Sequence, residues 1–208
     1  MPTTSHTRRR RPRCLSQLAL WEGGRPAEAR ADLLPTRPLL QHRSCPRVLD
    51  LIRQVRTFFP ELDGVSLKIG LTRRAAGLAS RDEPWIWINP RRLTRHTIAH
   101  EMVHLLQFRG LVPTGEKSAD LYALARDCWL ADDLPFYLQT PRALRLACQE
   151  GAPEAYRLLH RLARESLTRR EQGERTYLRW FERELAARWI EAVPVAVEPA
   201  PPIQASLF

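Results

Sequence analysis

His100-Glu101-Met102-Val103-His104 is the stretch on which the reading of this chain turns. On a helix, residues four apart share a face. His100 and His104 can therefore present both imidazoles to one metal ion, and Glu101 brings a carboxylate within reach of a water held there. Two neutral imidazoles and one further protein donor leave the fourth position of a tetrahedral ion open, the arrangement of a catalytic zinc. The neighbours Ile98, Ala99, Met102, Val103, Leu105 and Leu106 are apolar, so the helix is expected to be largely buried. Two histidines and a glutamate inside a buried helix require partners, because unpaired polar groups are costly there. A pair of solvated histidines is the plain alternative, and the apolar surroundings argue against it.

Twelve residues beyond His104 comes Glu116-Lys117-Ser118-Ala119-Asp120, an E-x-x-A-D pattern. H-E-x-x-H followed by E-x-x-A-D resembles the gluzincin metallopeptidases. The resemblance implies Glu116 as the third zinc ligand, Glu101 as the catalytic carboxylate and Asp120 as the carboxylate that hydrogen-bonds a ligating histidine. The spacing is compatible, since Glu116 and Asp120 are also four apart, and a carboxylate that orients a ligating histidine recurs in zinc sites. Glu116 as a mere helix N-terminal acid and Asp120 on a solvated face are the plainer readings. The connection between the two helices is short for this group, so Asp120 as a ligand is a further alternative.

Length and charge bound the rest. A chain of 208 residues with 44% hydrophobic residues suits one domain with tails. The net charge of +10, with arginine far ahead of lysine, favours nucleic acid or another polyanion as a neighbour. Simple solubility or an arginine-biased genome would give the same balance. Cys14, Cys45, Cys128 and Cys148 form no C-x-x-C pair and are expected as reduced thiols. No apolar run is long enough to span a membrane, and no secretory signal is evident, so the expectation is a cytoplasmic protein without a membrane partner.

The fold class expected is α+β: a zincin-like domain with a small sheet of about three strands, an active-site helix, a glutamate helix and further C-terminal helices. Residues 1–44 are expected to be a disordered basic tail, with nine arginines against Glu22, Glu28 and Asp32. Its run Arg8-Arg9-Arg10-Arg11 can contact DNA phosphates. Residues 45–191 form the domain. A helix is predicted over 46–59, ended by Pro60, and strands at 65–71, 75–80 and 85–88. Asn89-Pro90 is expected to open the active-site helix, which Gly110 stops. The glutamate helix should run from Thr114 to about Leu130, with helices at 141–149, 153–166 and 168–191. The zincin resemblance implies that the strand 85–88 borders the cleft and pairs with an extended substrate backbone. Zinc peptidases also use a tyrosine or histidine to stabilise the oxyanion, for which Tyr137 is the first candidate, ahead of Tyr156 and His160. His6, His42 and His96 fit no partner pattern and receive no role.

Residues 192–208 form a proline-rich tail ending in Gln204-Ala205-Ser206-Leu207-Phe208. This resembles the peptide by which bacterial proteins dock on the DNA sliding clamp, through Gln204, Leu207 and Phe208. Gln17-Leu18-Ala19-Leu20-Trp21 resembles the same consensus through Gln17, Leu18, Leu20 and Trp21. An accidental apolar tail end is the plainer reading of either. Together the pieces are similar in logic to the SprT/Spartan proteases, which degrade proteins crosslinked to DNA, although that group uses histidine as third ligand. The expectation is a zinc metalloendopeptidase with a protein substrate. Its partners would be DNA, through the basic tail, and the sliding clamp. A regulatory protease that cleaves a repressor, and a non-catalytic clamp adaptor, are the alternatives. Cys14 as a latency ligand is a further alternative.

Overall fold

The computed structural model describes residues 32–192, with only the backbone considered for the last three. The arginine run, Cys14, His6 and both clamp-like peptides (Gln17, Leu18, Leu20, Trp21 and Gln204, Leu207, Phe208) lie outside the described residues.

Strands β1 (Leu33–Pro35), β2 (Leu67–Leu71), β3 (Gly77–Ala79) and β4 (Trp85–Ile88) form one sheet in the order β1-β2-β4-β3. β1, β2 and β4 are parallel, and β3 closes the far edge antiparallel to β4. The class is α+β, as expected, but the sheet has four strands. Residues 33–40, placed in the disordered tail by composition, instead form β1 and the short helix α1 (Arg37–Leu40). The physical reason is tertiary: β1 pairs with β2 through Leu33 and Leu67, and Leu39 is fully buried. Pro35 is tolerated because β1 is an edge strand.

Period-two alternation gives the sheet two distinct faces. Leu67, Ile69, Ile86 and Ile88 are all 2% exposed or less and form the inner face. Helix α2 (Cys45–Arg56) buries Val48, Ile52 and Val55, and packs on α3 (Arg95–Phe108), which lies against β3 and β4. The opposite face carries Leu34, Lys68, Trp85, Trp87 and Leu78, partly or largely exposed. The remaining helices are α4 (Glu116–Arg126), α5 (Arg142–Gln149), α6 (Pro153–Glu171) and α7 (Tyr177–Ala192). α4 packs on α6, and α6 on α7, around Leu159, Leu162, Phe181 and Leu185. No described helix is long and apolar enough to cross a membrane. Cys45, Cys128 and Cys148 are free.

One boundary and one strand's place in the sheet differ from expectation in ways that matter for the site. Asn89 caps a separate 3-10 turn, Pro90–Arg92, by accepting from the Arg91 amide. The true N-cap of α3 is Thr94, whose hydroxyl accepts from the Thr97 amide at 3.1 Å. The Arg95 and His96 amides donate to the Asp132 carboxylate at 2.9 Å each, so the first three amides of α3 all find side-chain acceptors. The strand 85–88 is interior, paired on both sides, and has no free edge to offer a substrate. β3 is the edge that lies beside the site.

Candidate metal centre

α3 and α4 place the predicted donors together. His100 Nε2, His104 Nε2 and Glu116 Oε2 form a nearly equilateral triangle with sides of 3.0, 3.1 and 3.1 Å. Donors about 2.0–2.1 Å from a tetrahedral zinc would stand roughly 3.3 Å apart, so the triangle fits such an ion closely. Gly115, at φ 108°, makes the turn that sets Glu116 at the start of α4; a residue with a Cβ would be strained there.

The hydrogen bonds on the far side of each ring decide the tautomers. His100 Nδ1–H donates to Asp120 Oδ1 at 2.7 Å. His104 Nδ1–H donates to Gln107 Oε1 at 2.7 Å, and the Gln107 amide is oriented by donating to the carbonyls of Pro113 and Gly115. Each neutral ring then turns an unprotonated Nε2 toward the other and toward the Glu116 carboxylate. Three acceptors at about 3 Å repel one another unless a proton or a metal cation sits between them. The donor set of two imidazoles and one carboxylate matches zinc chemistry.

Asp120 is fully buried and uses both oxygens. Oδ1 accepts from His100 and from His96 Nε2 at 3.2 Å, and Oδ2 accepts from the backbone amides of Tyr137 and Leu138 at 2.6 and 3.3 Å. Burial alone would raise this carboxyl, but the hydrogen bonds from His100 and then His96 hold it well below the usual carboxylate range. Asp120 therefore stands behind His100, on its Nδ1 side, and does not join the Nε2 triangle. In the metal-free chain burial works to lower the His100 imidazole, and the Asp120 hydrogen bond together with the charges of Asp120, Glu101 and Glu116 outweighs it and raises it.

Glu101 is 5% exposed, on the side of α3 that faces β3. A Cβ built on Gly77 would lie 2.6 Å from its Cγ and Oε1, so the side chain passes directly against the β3 backbone. Burial raises its carboxyl to about 7. No hydrogen-bond donor among the described residues occupies it, which leaves the carboxylate free for a water.

Tyr137 lies beside the triangle, where its ring stacks on His100 at 5.7 Å and 21°. Burial and then the Glu116 carboxylate raise its phenol, which keeps it a donor. Tyr156 and His160, the other two candidates, are engaged elsewhere, donating to the carbonyls of Cys148 and Leu124. His96, assigned no role from the sequence, is fully buried against Asp120. Its signal was present, since it precedes His100 by the same four residues that separate His100 from His104. Gln107 follows His104 by three residues, a same-face spacing on α3, whereas Gly77 and Asp132 carry no local signal.

Compared with protein-family models, with curated proteins and with solved structures, the chain matches none of them.

Proposed function

We propose that this chain is a zinc-dependent metalloendopeptidase. The observation that carries the reading is the triangle of His100, His104 and Glu116 donors, its two imidazoles each held through Nδ1 by a buried partner, with the buried Glu101 carboxyl, free of hydrogen-bond donors among the described residues, beside it. His100, His104 and Glu116 would hold the zinc. Bound there, zinc supplies a Lewis acid that acidifies water and polarises a scissile carbonyl. Glu101, with its carboxyl near 7, accepts a proton from the attacking water as the C–O bond forms. It returns that proton to the leaving nitrogen as the C–N bond breaks. The Tyr137 phenol donates to the developing oxyanion. Asp120 and Gln107 keep the two imidazoles oriented. β3, the sheet edge against Glu101, is the place for an extended polypeptide, in place of the interior strand β4.

The test is cleavage of an unfolded protein such as casein by the zinc-loaded chain. Activity should be lost on chelation and restored by zinc. Glu101→Gln should lose cleavage by at least about 10²-fold and still bind one zinc per chain. A variant as active as the parent would refute the assignment. Repeating the assay with single-stranded DNA and with the sliding clamp asks whether this peptidase works at DNA, as its basic charge favours.

A further inference from the structure

The outer face of the sheet plays no part in the site just described, and its composition is unusual for a solvated surface. Trp85 and Trp87 stack on one another at 4.4 Å and 24°. They lie over the β2 backbone at Gly70, where a Cβ would stand 2.4 Å from the Trp87 ring. Glycine there lets the indoles lie flat and broadside. Leu78, 44% exposed, pairs with Trp87 and extends the apolar strip onto β3.

Along the stretch of chain that carries this strip the charge is one-sided. From Leu67 to Arg95 the only acids are Asp82 and Glu83. Both sit in the turn between β3 and β4, and Glu83 is bound to Lys68 at 2.7 Å. At the other end, where β2 and β4 finish, the exposed Arg73 and Arg74 follow β2 and the exposed Arg91 and Arg92 follow β4. None of these four guanidiniums makes an ion pair or hydrogen bond among the described residues. Flat aromatic surface on strands whose ends lead into unpaired cations complements one kind of polymer: stacking platforms take bases, and arginines take phosphates.

We infer that this face binds single-stranded nucleic acid, with bases stacked on Trp87 and the backbone running past Arg73, Arg74, Arg91 and Arg92. The surface shares no residue with the metal centre, and binding needs neither metal nor catalysis. Failure of one reading therefore leaves the other standing.

The experiment is fluorescence anisotropy of labelled oligothymidylate and oligouridylate with the full chain, across a range of salt concentrations. Arg91→Glu/Arg92→Glu, a surface change that spares the core, should weaken binding about tenfold or more. It should also lower the salt slope by about one for each phosphate that the chain no longer neutralises. Trp87→Ala should weaken binding about tenfold without changing the slope, and Trp87→Phe should restore most of it. Replacing Arg8–Arg11 by alanine and, separately, Arg157→Glu/Arg161→Glu on α6 provide the comparison. Binding abolished by the Arg8–Arg11 change and untouched by the sheet variants would overturn the inference. So would binding indifferent to Trp87 and displaced equally by heparin, which marks a general polyanion surface. Preference between the two oligomers separates DNA from RNA as the physiological partner.

Discussion

Glu101 sits where a single added atom elsewhere in the chain would displace it. A methyl group at Gly77 would enter the space of the Glu101 Cγ and Oε1. Gly77→Ala should lower kcat/KM by about 10²-fold, as a displacement of about 1 Å does to a positioned group, while zinc stoichiometry stays at one per chain. Loss of zinc would show instead that the strain reaches His100. Gln107→Leu removes the acceptor of His104 and both donors to the Pro113 and Gly115 carbonyls. Zinc affinity measured against a chelator should fall about 10–100-fold. The buried Glu101 carboxyl also makes the metal-free chain sensitive to pH. Its value rises from 4.5 to about 7 on folding, so the folded state keeps the proton that the unfolded state releases. Stability is thus lost as the pH rises through about 7. Glu101→Gln has no proton to lose, and its advantage over the parent should grow by about 2–3 kcal/mol between pH 5 and pH 8 in urea melts of metal-free protein. A constant difference would mean that the carboxyl is not desolvated. At this scale the metal ligands were legible because both pairs lie four apart on single helices. Gly77 and Asp132 were not, because each acts on the site from chain that is remote in sequence, and Gln107, though only three residues past His104, is a residue type that does not by itself announce a metal site.

Among the elements, α3 depends on a residue far outside itself. Asp132 accepts the Arg95 and His96 amides and the Arg95 Nε, all at 2.9 Å, so a loop carboxylate serves as an N-terminal cap across 37 residues. Asp132→Ala should cost about 1–2 kcal/mol in denaturant unfolding. Asp132→Asn should recover part of that, since it keeps an acceptor oxygen. If the alanine variant proved neutral, Thr94 alone would suffice to start the helix. The strands β2 and β4 and the helices α2 to α6 were recognisable from apolar periodicity and from Pro and Gly boundaries. β1 was not: three residues with a proline, following an arginine-rich stretch, read as tail, and only pairing to β2 makes them a strand. The interior position of β4 was equally hidden, because Trp-Ile-Trp-Ile alternates like a strand with one exposed face and says nothing about which neighbours flank its edges.

For the molecule as a whole, the metal centre joins helices that are already near neighbours in the chain. His104 and Glu116 are 12 residues apart, so closing that loop through an ion restrains little of the unfolded chain. The apolar contacts of α2, α3, α4 and α6 are made without it. Chelation should therefore leave the far-UV circular dichroism unchanged at 25 °C and leave a cooperative thermal transition at lower temperature. Collapse to a disordered chain would contradict this. The loss should instead appear in one place. Asp120 divides its two oxygens between the histidines and the amides of Tyr137 and Leu138, so whatever loosens His100 also loosens its hold on that loop. Hydrogen–deuterium exchange at those two amides becomes a gauge of occupancy, slow when the ion is held and faster when it is stripped. In this way the ring that can donate to a substrate oxyanion is coupled to the ion through Asp120 and His100.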